Sequence, residues 1–187
     1  MPTLIYSMAV SLDGHVTAPD GSIDWAAPDS ELLRFHNEQT RELTGHLTGR
    51  RLYEGMLVWE TAEPTFTDPL ALEFARIWKA IPKVVFSTTL TTVAGNARLA
   101  RGDIADEVAA LRNQPDAGLV SVGGAGLAAC LAEQDLIDEY RLFINPVVLG
   151  GGTPYFAPLR RRIDLELVET RTFSSRVVYL RYRARGR

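Results

Sequence analysis

Two hydrophobic rhythms alternate along the chain. Near-continuous apolar runs rich in β-branched and aromatic residues occupy residues 4–10, 83–87, 119–122, 140–144 and 146–149. Runs of that length predict strands buried on both faces. Between them, apolar residues recur three and four apart, as at Leu32, Leu33, Phe35 and later Leu43. That spacing predicts helices over residues 30–43, 69–80, 103–112 and 126–134. Their ends carry matching signals. Asp29 or Ser30 can cap the first, Pro69 stands in the first turn of the second with Pro82 beyond its end, and Asp103 can cap the third. Residues 15–17 and 46–48 are short β-prone pieces, and Asp13-Gly14 before the former is a hairpin-turn signal. Residues 140–149 read as one broken strand ending at Gly150-Gly151-Gly152. Alternation over 164–173 and 176–183 predicts two closing strands, joined as a hairpin at Ser174-Ser175.

Strands alternating with helices predict an α/β protein with a mostly parallel sheet covered on both faces and an antiparallel edge from the closing hairpin. No internal repeat or low-complexity linker interrupts the chain, so residues 1–187 read as a single domain. A content of 46% hydrophobic and 23% charged residues is that of an ordinary soluble protein. The net charge of −3 lacks the basic excess of a nucleic-acid binder, so nucleic acid is not an expected partner. The basic stretch 176–187, with five arginines, reads as a solvated strand and tail, a polyanion patch being the alternative. A single cysteine excludes an intrachain disulfide framework, points to a reducing compartment, and reads as a small buried residue within its Ala/Leu helix. The nearly uncharged stretch 117–132 is broken by glycines and shorter than the ~20 residues a membrane span needs. With no signal-peptide pattern at the start, a cytoplasmic protein without a membrane partner is expected.

Candidate chemistry centres on glycine. The strand ending at Val122 breaks into Gly123, Gly124, Ala125 and Gly126 before Leu127 begins a helical pattern. Amides at such a turn lie at the positive end of the helix dipole, and glycines let phosphate oxygens approach closely. The spacing is not the dinucleotide fingerprint of an ordinary Rossmann domain, and a helix start that binds nothing is the alternative. Thr48-Gly49-Arg50-Arg51-Leu52 offers a second anion site, where Arg50 or Arg51 can fork onto a phosphate; two exposed surface arginines are the competing reading. Ser87 and Thr88 end a strand where a ligand crevice would lie, or else cap a turn. Asp13 is a hairpin residue or a ligand contact. His15, His36 and His46 lack metal-ligand spacing, and neither a Walker lysine nor a Gly-x-Ser-x-Gly elbow occurs.

These residues, in this order, resemble the dihydrofolate-reductase-like superfamily, most closely the branch of the reductase domain of bacterial riboflavin biosynthesis. The resemblance rests on Met8-Ala9-Val10-Ser11-Leu12-Asp13-Gly14, Thr48 to Glu54, Val84 to Ser87, Ser121 to Ala125, and Asn145 to Pro154. It implies a three-layer fold, NADPH as cofactor, and a homodimer. Gly123 and Gly124, with Val122 to Leu127 around them, would hold the pyrophosphate with the backbone of Gly49 to Leu52. Arg50, Ser87 and Thr88 would surround the 2′-phosphate, while Ala9, Val16 and Thr17 would flank the nicotinamide. Both substrate signatures of the superfamily are altered: Ser30 stands where dihydrofolate reductases carry an acid after Trp25-Ala26-Ala27-Pro28, and Arg50-Arg51 replaces the paired aspartates of the riboflavin enzyme. The expected activity is hydride transfer from NADPH to a small heterocyclic or ribosylaminopyrimidine-type acceptor. Asp29, Glu31 and Asp13 are the candidate proton donors, in competition with ordered water. The alternative is a catalytically silent nucleotide-binding or interaction protein on the same fold.

Overall fold

The predicted strands and helices form nearly where the hydrophobic pattern places them. The computed structural model describes residues 2–114 and 118–185. Among the described residues there are ten strands: β1 (Thr3–Ser11), β2 (His15–Thr17), β3 (Leu43–Gly49), β4 (Lys83–Phe86), β5 (Ala97–Leu99), β6 (Leu119–Gly123), β7 (Glu139–Asn145), β8 (Thr153–Pro154), β9 (Leu165–Thr172) and β10 (Val178–Ala184). The helices are α1 (Ser30–Arg41), α2 (Arg50–Met56), α3 (Pro69–Ala80), α4 (Ile104–Arg112) and α5 (Ala125–Glu133). Eight strands make one sheet in the order β5-β4-β3-β6-β1-β7-β10-β9, and β2 pairs with β8 in a small second sheet. Neighbours from β5 to β7 run parallel, while β10 is antiparallel to both β7 and β9. The expected α/β class, covered sheet and antiparallel closing hairpin are all observed.

Helices cover both faces of the sheet, and the two faces differ in character. On one, Leu4, Tyr6 and Val10 of β1, Leu47 of β3 and Val120 and Val122 of β6 pack with Val108 of α4 and Leu131 of α5. On the other, α1 lays Leu32 and Phe35 against Phe143, Phe173 and Tyr179. Phe35 meets the rings of Phe173 and Tyr179 edge-on, at 5.2 and 5.1 Å between centroids. The caps follow the sequence: Asp29 accepts from Leu32 N at 2.8 Å, Asp103 accepts from Asp106 N at 2.9 Å, and Pro69 sits at the first position of α3.

Three expectations are corrected. Asp13-Gly14 does form a turn, with Gly14 at φ +87°, but β1 and β2 are not hairpin partners; β2 departs to pair with β8. The broken strand of residues 140–149 is a strand only through Asn145, because Leu12 N takes the Val147 carbonyl and diverts the chain. Cys130 is exposed on α5, since the buried stripe of that helix runs through Leu127, Ala128, Leu131 and Ala132. The pattern also missed β5, whose three residues carry the charged Arg98 at their centre.

Candidate active site

Parallel strands release their chain at one edge of the sheet, and the strongest candidates collect there. Neighbouring strands β3 and β6, with Thr48 opposite Gly123, run directly into α2 and α5. Gly49 and Gly124 are the N-caps, and neither helix has a side-chain cap. The first-turn amides of both are therefore not covered by a capping side chain. Gly124 sits at φ +98°, and a Cβ placed on it would lie 3.9 Å from Gly49 N and from Leu52 Cβ. The two turns thus lie against one another, with the Leu52 side chain beside them. At Gly126 a Cβ would meet nothing within 4 Å, so this side of α5 is open. Gly123 has another role: a Cβ there would come within 2.3 Å of Leu52 Cδ2 and 2.6 Å of His46 Cε1, so close packing requires the glycine. Val122, Ala125 and Leu127 are buried and can offer only backbone to a ligand.

Beside the Gly49 turn, Arg50 reaches toward the end of β4. Its Nη1 donates to Thr89 Oγ1 at 2.6 Å and its Nε to Glu54 Oε1 at 2.8 Å. Ser87 Oγ accepts from Leu90 N at 2.9 Å and lies 3.4 Å from Thr89 Oγ1. Arg50, half-buried Ser87 and Thr89 therefore form one cluster at the surface, with Thr88 and Arg51 exposed nearby. This pairing of a guanidinium with hydroxyls fits a phosphate monoester. The uncapped first turns leave backbone amides that suit an anion.

At the end of β1, Ala9 borders the pocket described below, while the β2–β8 pair holds Val16 and Thr17. Thr17 Oγ1 donates to Thr153 Oγ1 at 2.9 Å. The three candidate proton donors have other partners. Asp13 accepts from Ser11 Oγ at 2.7 Å, Gly150 N at 2.8 Å and Leu149 N at 3.1 Å, and these bonds hold its carboxyl far below the usual range. Asp29 caps α1 and accepts from Ser174 Oγ at 3.3 Å. Glu31 accepts from Ser174 Oγ at 2.7 Å, Ser174 N at 3.0 Å and Arg171 Nη2 at 3.1 Å, which pull its carboxyl down to about 2. Asp29 and Glu31 thus clip α1 to the β9–β10 turn.

Next to the glycine turns, a pocket of about 220 Å³ opens between the sheet and helices α1, α2 and α3. Its polar lining comes from Ser7, His36, Gln39, Thr40, His46, Ser121 and Arg141, none of which the sequence reading singled out as ligand contacts. Their signal was present as polar residues inside otherwise apolar strands, notably Ser7, Ser121 and Arg141. Leu52 lines the pocket and also packs at Gly123, which makes the two regions continuous. Burial pushes the His36 imidazole down to about 4. Burial, aided by the Lys83 charge and opposed by the Leu47 backbone, does the same for His46. Both are neutral at physiological pH. A second pocket of about 250 Å³, near Pro82, Asn96 and Arg98, lies at the opposite ends of the strands and holds none of the expected ligand contacts.

The Bacillus subtilis (strain 168) uncharacterized protein YyaP is 35% identical over 188 residues, covering 98% of this chain and 95% of that protein. The crystal structure of a putative riboflavin biosynthesis protein from Shewanella sp. PV-4 superposes with a TM-score of 0.79 at 21% identity over the whole of both chains. Dihydrofolate reductase from Enterococcus faecalis, complexed with NADP(H), superposes with a TM-score of 0.62 at 14% identity, covering 98% of this chain and 97% of that one. These likenesses establish a dihydrofolate-reductase-like fold. The sequence model of the RibD C-terminal domain matches residues 2–179, and the chain belongs to that family.

Proposed function

We propose that this protein is an NADPH-dependent reductase acting on a small heterocyclic or ribosylaminopyrimidine-type acceptor. The observation that carries the reading is the pair of glycine-capped helix starts on adjacent strands, with the Arg50–Ser87–Thr89 cluster at one side and a pocket under α1 and α3 at the other. Membership of the RibD C-terminal domain family and the fold shared with a dihydrofolate reductase support it.

Bound NADPH would supply the hydride. The chain's task is to orient cofactor and acceptor and to keep water from the reacting carbon. Backbone amides after Gly49 and Gly124 would bind the diphosphate, and Arg50 with Ser87 and Thr89 the 2′-phosphate. Ala9 and the Val16–Thr17 strand would border the nicotinamide. Asp13 and Glu31 are ionised and already bonded, Asp29 caps α1, and both pocket histidines are neutral, so a solvent water is the proton source this site favours. Trp78 lines the pocket and reports on it. Fluorescence titration should show NADPH binding at least tenfold more tightly than NADH. Arg50→Ala should erase most of that difference while leaving NADH affinity nearly unchanged. No binding of either cofactor would refute the reductase reading, and binding without turnover on any dihydropterin or ribosylaminopyrimidine would favour the silent nucleotide-binding alternative.

A further inference from the structure

Arg50 and Glu54 form a pair that helix energetics do not explain. Arg50 is the first residue of α2, and a cation in a first turn opposes the helix dipole. Its Nε donates to Glu54 Oε1 at 2.8 Å, four residues on. An acid placed before the base is the better order for such a pair, and here the order is reversed. The two side chains are 48% and 40% exposed, so the pair contributes little to stability. Buried Tyr53 is what ties α2 to the rest of the protein.

The two partners of Arg50 differ in kind. Thr89 Oγ1 accepts from Nη1 at 2.6 Å, and the loop that carries it is fixed from behind. Thr89 N and Leu90 N donate to Ser87 Oγ at 3.2 and 2.9 Å, and farther along the same loop Ala94 N donates to the Tyr53 hydroxyl at 2.6 Å. A threonine hydroxyl that accepts from Arg50 still has its own proton to give to an incoming oxygen. Thr89 can therefore stay in place when an anion arrives. Glu54 cannot. Its carboxylate only accepts, it holds the Nε that a bidentate phosphate would use, and it repels the −1.5 to −2 charge, roughly, of a phosphate monoester. Among the described residues no other carboxylate pairs with Arg50. Half-exposed at the surface, the Glu54 side chain has solvent to swing into.

We propose that Glu54 is a built-in competitor for the 2′-phosphate. It neutralises Arg50 in the free protein, leaves it when the phosphate binds, and so limits how strongly the protein discriminates NADPH from NADH. The inference rests on the cofactor reading for the identity of the phosphate and goes beyond it in naming the residue that restrains selectivity.

Glu54→Gln tests it, because the amide oxygen can still accept from Arg50 Nε while the charge is gone. The ratio of NADH to NADPH dissociation constants, measured by calorimetry, should rise at least threefold over wild type. Adenosine 2′-monophosphate against adenosine gives the same readout without a nicotinamide, and that ratio should rise by a similar factor. The gain should shrink between about 10 mM and about 1 M salt, as the Debye length falls from about 30 to about 3 Å. In an Arg50→Ala background Glu54→Gln should gain less, since no guanidinium remains to compete for. A fall in selectivity would mean that Glu54 holds Arg50 ready for the phosphate, and would overturn the proposal. So would an unchanged ratio, a gain indifferent to salt, or an equal gain in the Arg50→Ala background. Failure of every variant to bind NADPH, NADH or adenosine 2′-monophosphate overturns the cofactor reading itself, whereas cofactor binding with no rise in selectivity overturns this inference alone.

Discussion

At the scale of single residues, the same chemistry serves different ends according to what lies beside it. Gly124 combines a left-handed φ of +98° with a position where an added Cβ would project between two helix starts. Gly124→Ala should therefore cost about 1–2 kcal/mol in backbone strain and also weaken NADPH binding several-fold. Chemical denaturation and cofactor titration separate the two effects. Asp29 was readable both as a helix cap and as a proton donor. The structure gives it the cap, so Asp29→Ala should lower stability by about 1 kcal/mol with kcat unchanged. A tenfold loss of kcat in the folded variant would return the residue to catalysis. The placement of Gly49, Gly124 and Arg50 at helix starts was legible because it follows from backbone freedom and local pattern alone. Ser7, His46, Ser121 and Arg141 were not, because a polar residue within an apolar run has no meaning until its face of the sheet is known.

At the scale of elements, caps and periodicity place α1, α3 and α4 within a residue or two, since those signals act within one helical turn. Pairing is a different matter. Asp13-Gly14 signals a turn correctly, yet the partner of β2 is β8, some 140 residues along the chain. What permits this pairing is Gly152, at φ +118°, where a Cβ would fall 1.9 Å from the Thr17 carbonyl oxygen. Gly152→Ala must push the two strands apart, and a loss of about 2–4 kcal/mol is expected. Thermal unfolding measures it. If NADPH affinity drops in parallel, the β2–β8 pair also supports the nicotinamide side of the site. An unchanged melting temperature would show that the loop has room the structure does not display.

At the scale of the whole molecule, the buried histidines couple folding to pH. His46 is buried, and its pKa falls from 6.5 to about 4 on folding. A group with a depressed folded pKa that must stay neutral contributes stability present above the unfolded value and lost as pH drops toward the folded one. A shift of that size corresponds to about 3 kcal/mol lost between pH 6.5 and pH 4, with His36 adding in the same direction. Glu31 adds to the loss only lower, between pH 4.5 and about 2. Urea midpoints at pH 7 and pH 4.5 should therefore differ, and His46→Gln should flatten that part of the curve. An equal slope in the variant would place the titration elsewhere. The primary sequence by itself determined the alternation of strands and helices, the caps, the glycine turns that open α2 and α5 and the family likeness, all of which depend on neighbours a few residues apart. Only the tertiary structure decided that β2 leaves β1, that Asp13, Asp29 and Glu31 spend their charge on loops and caps, and that Ser7, Ser121 and Arg141 share one pocket floor. Those outcomes depend on strand register and on which helix covers which face, and contacts between distant segments set both.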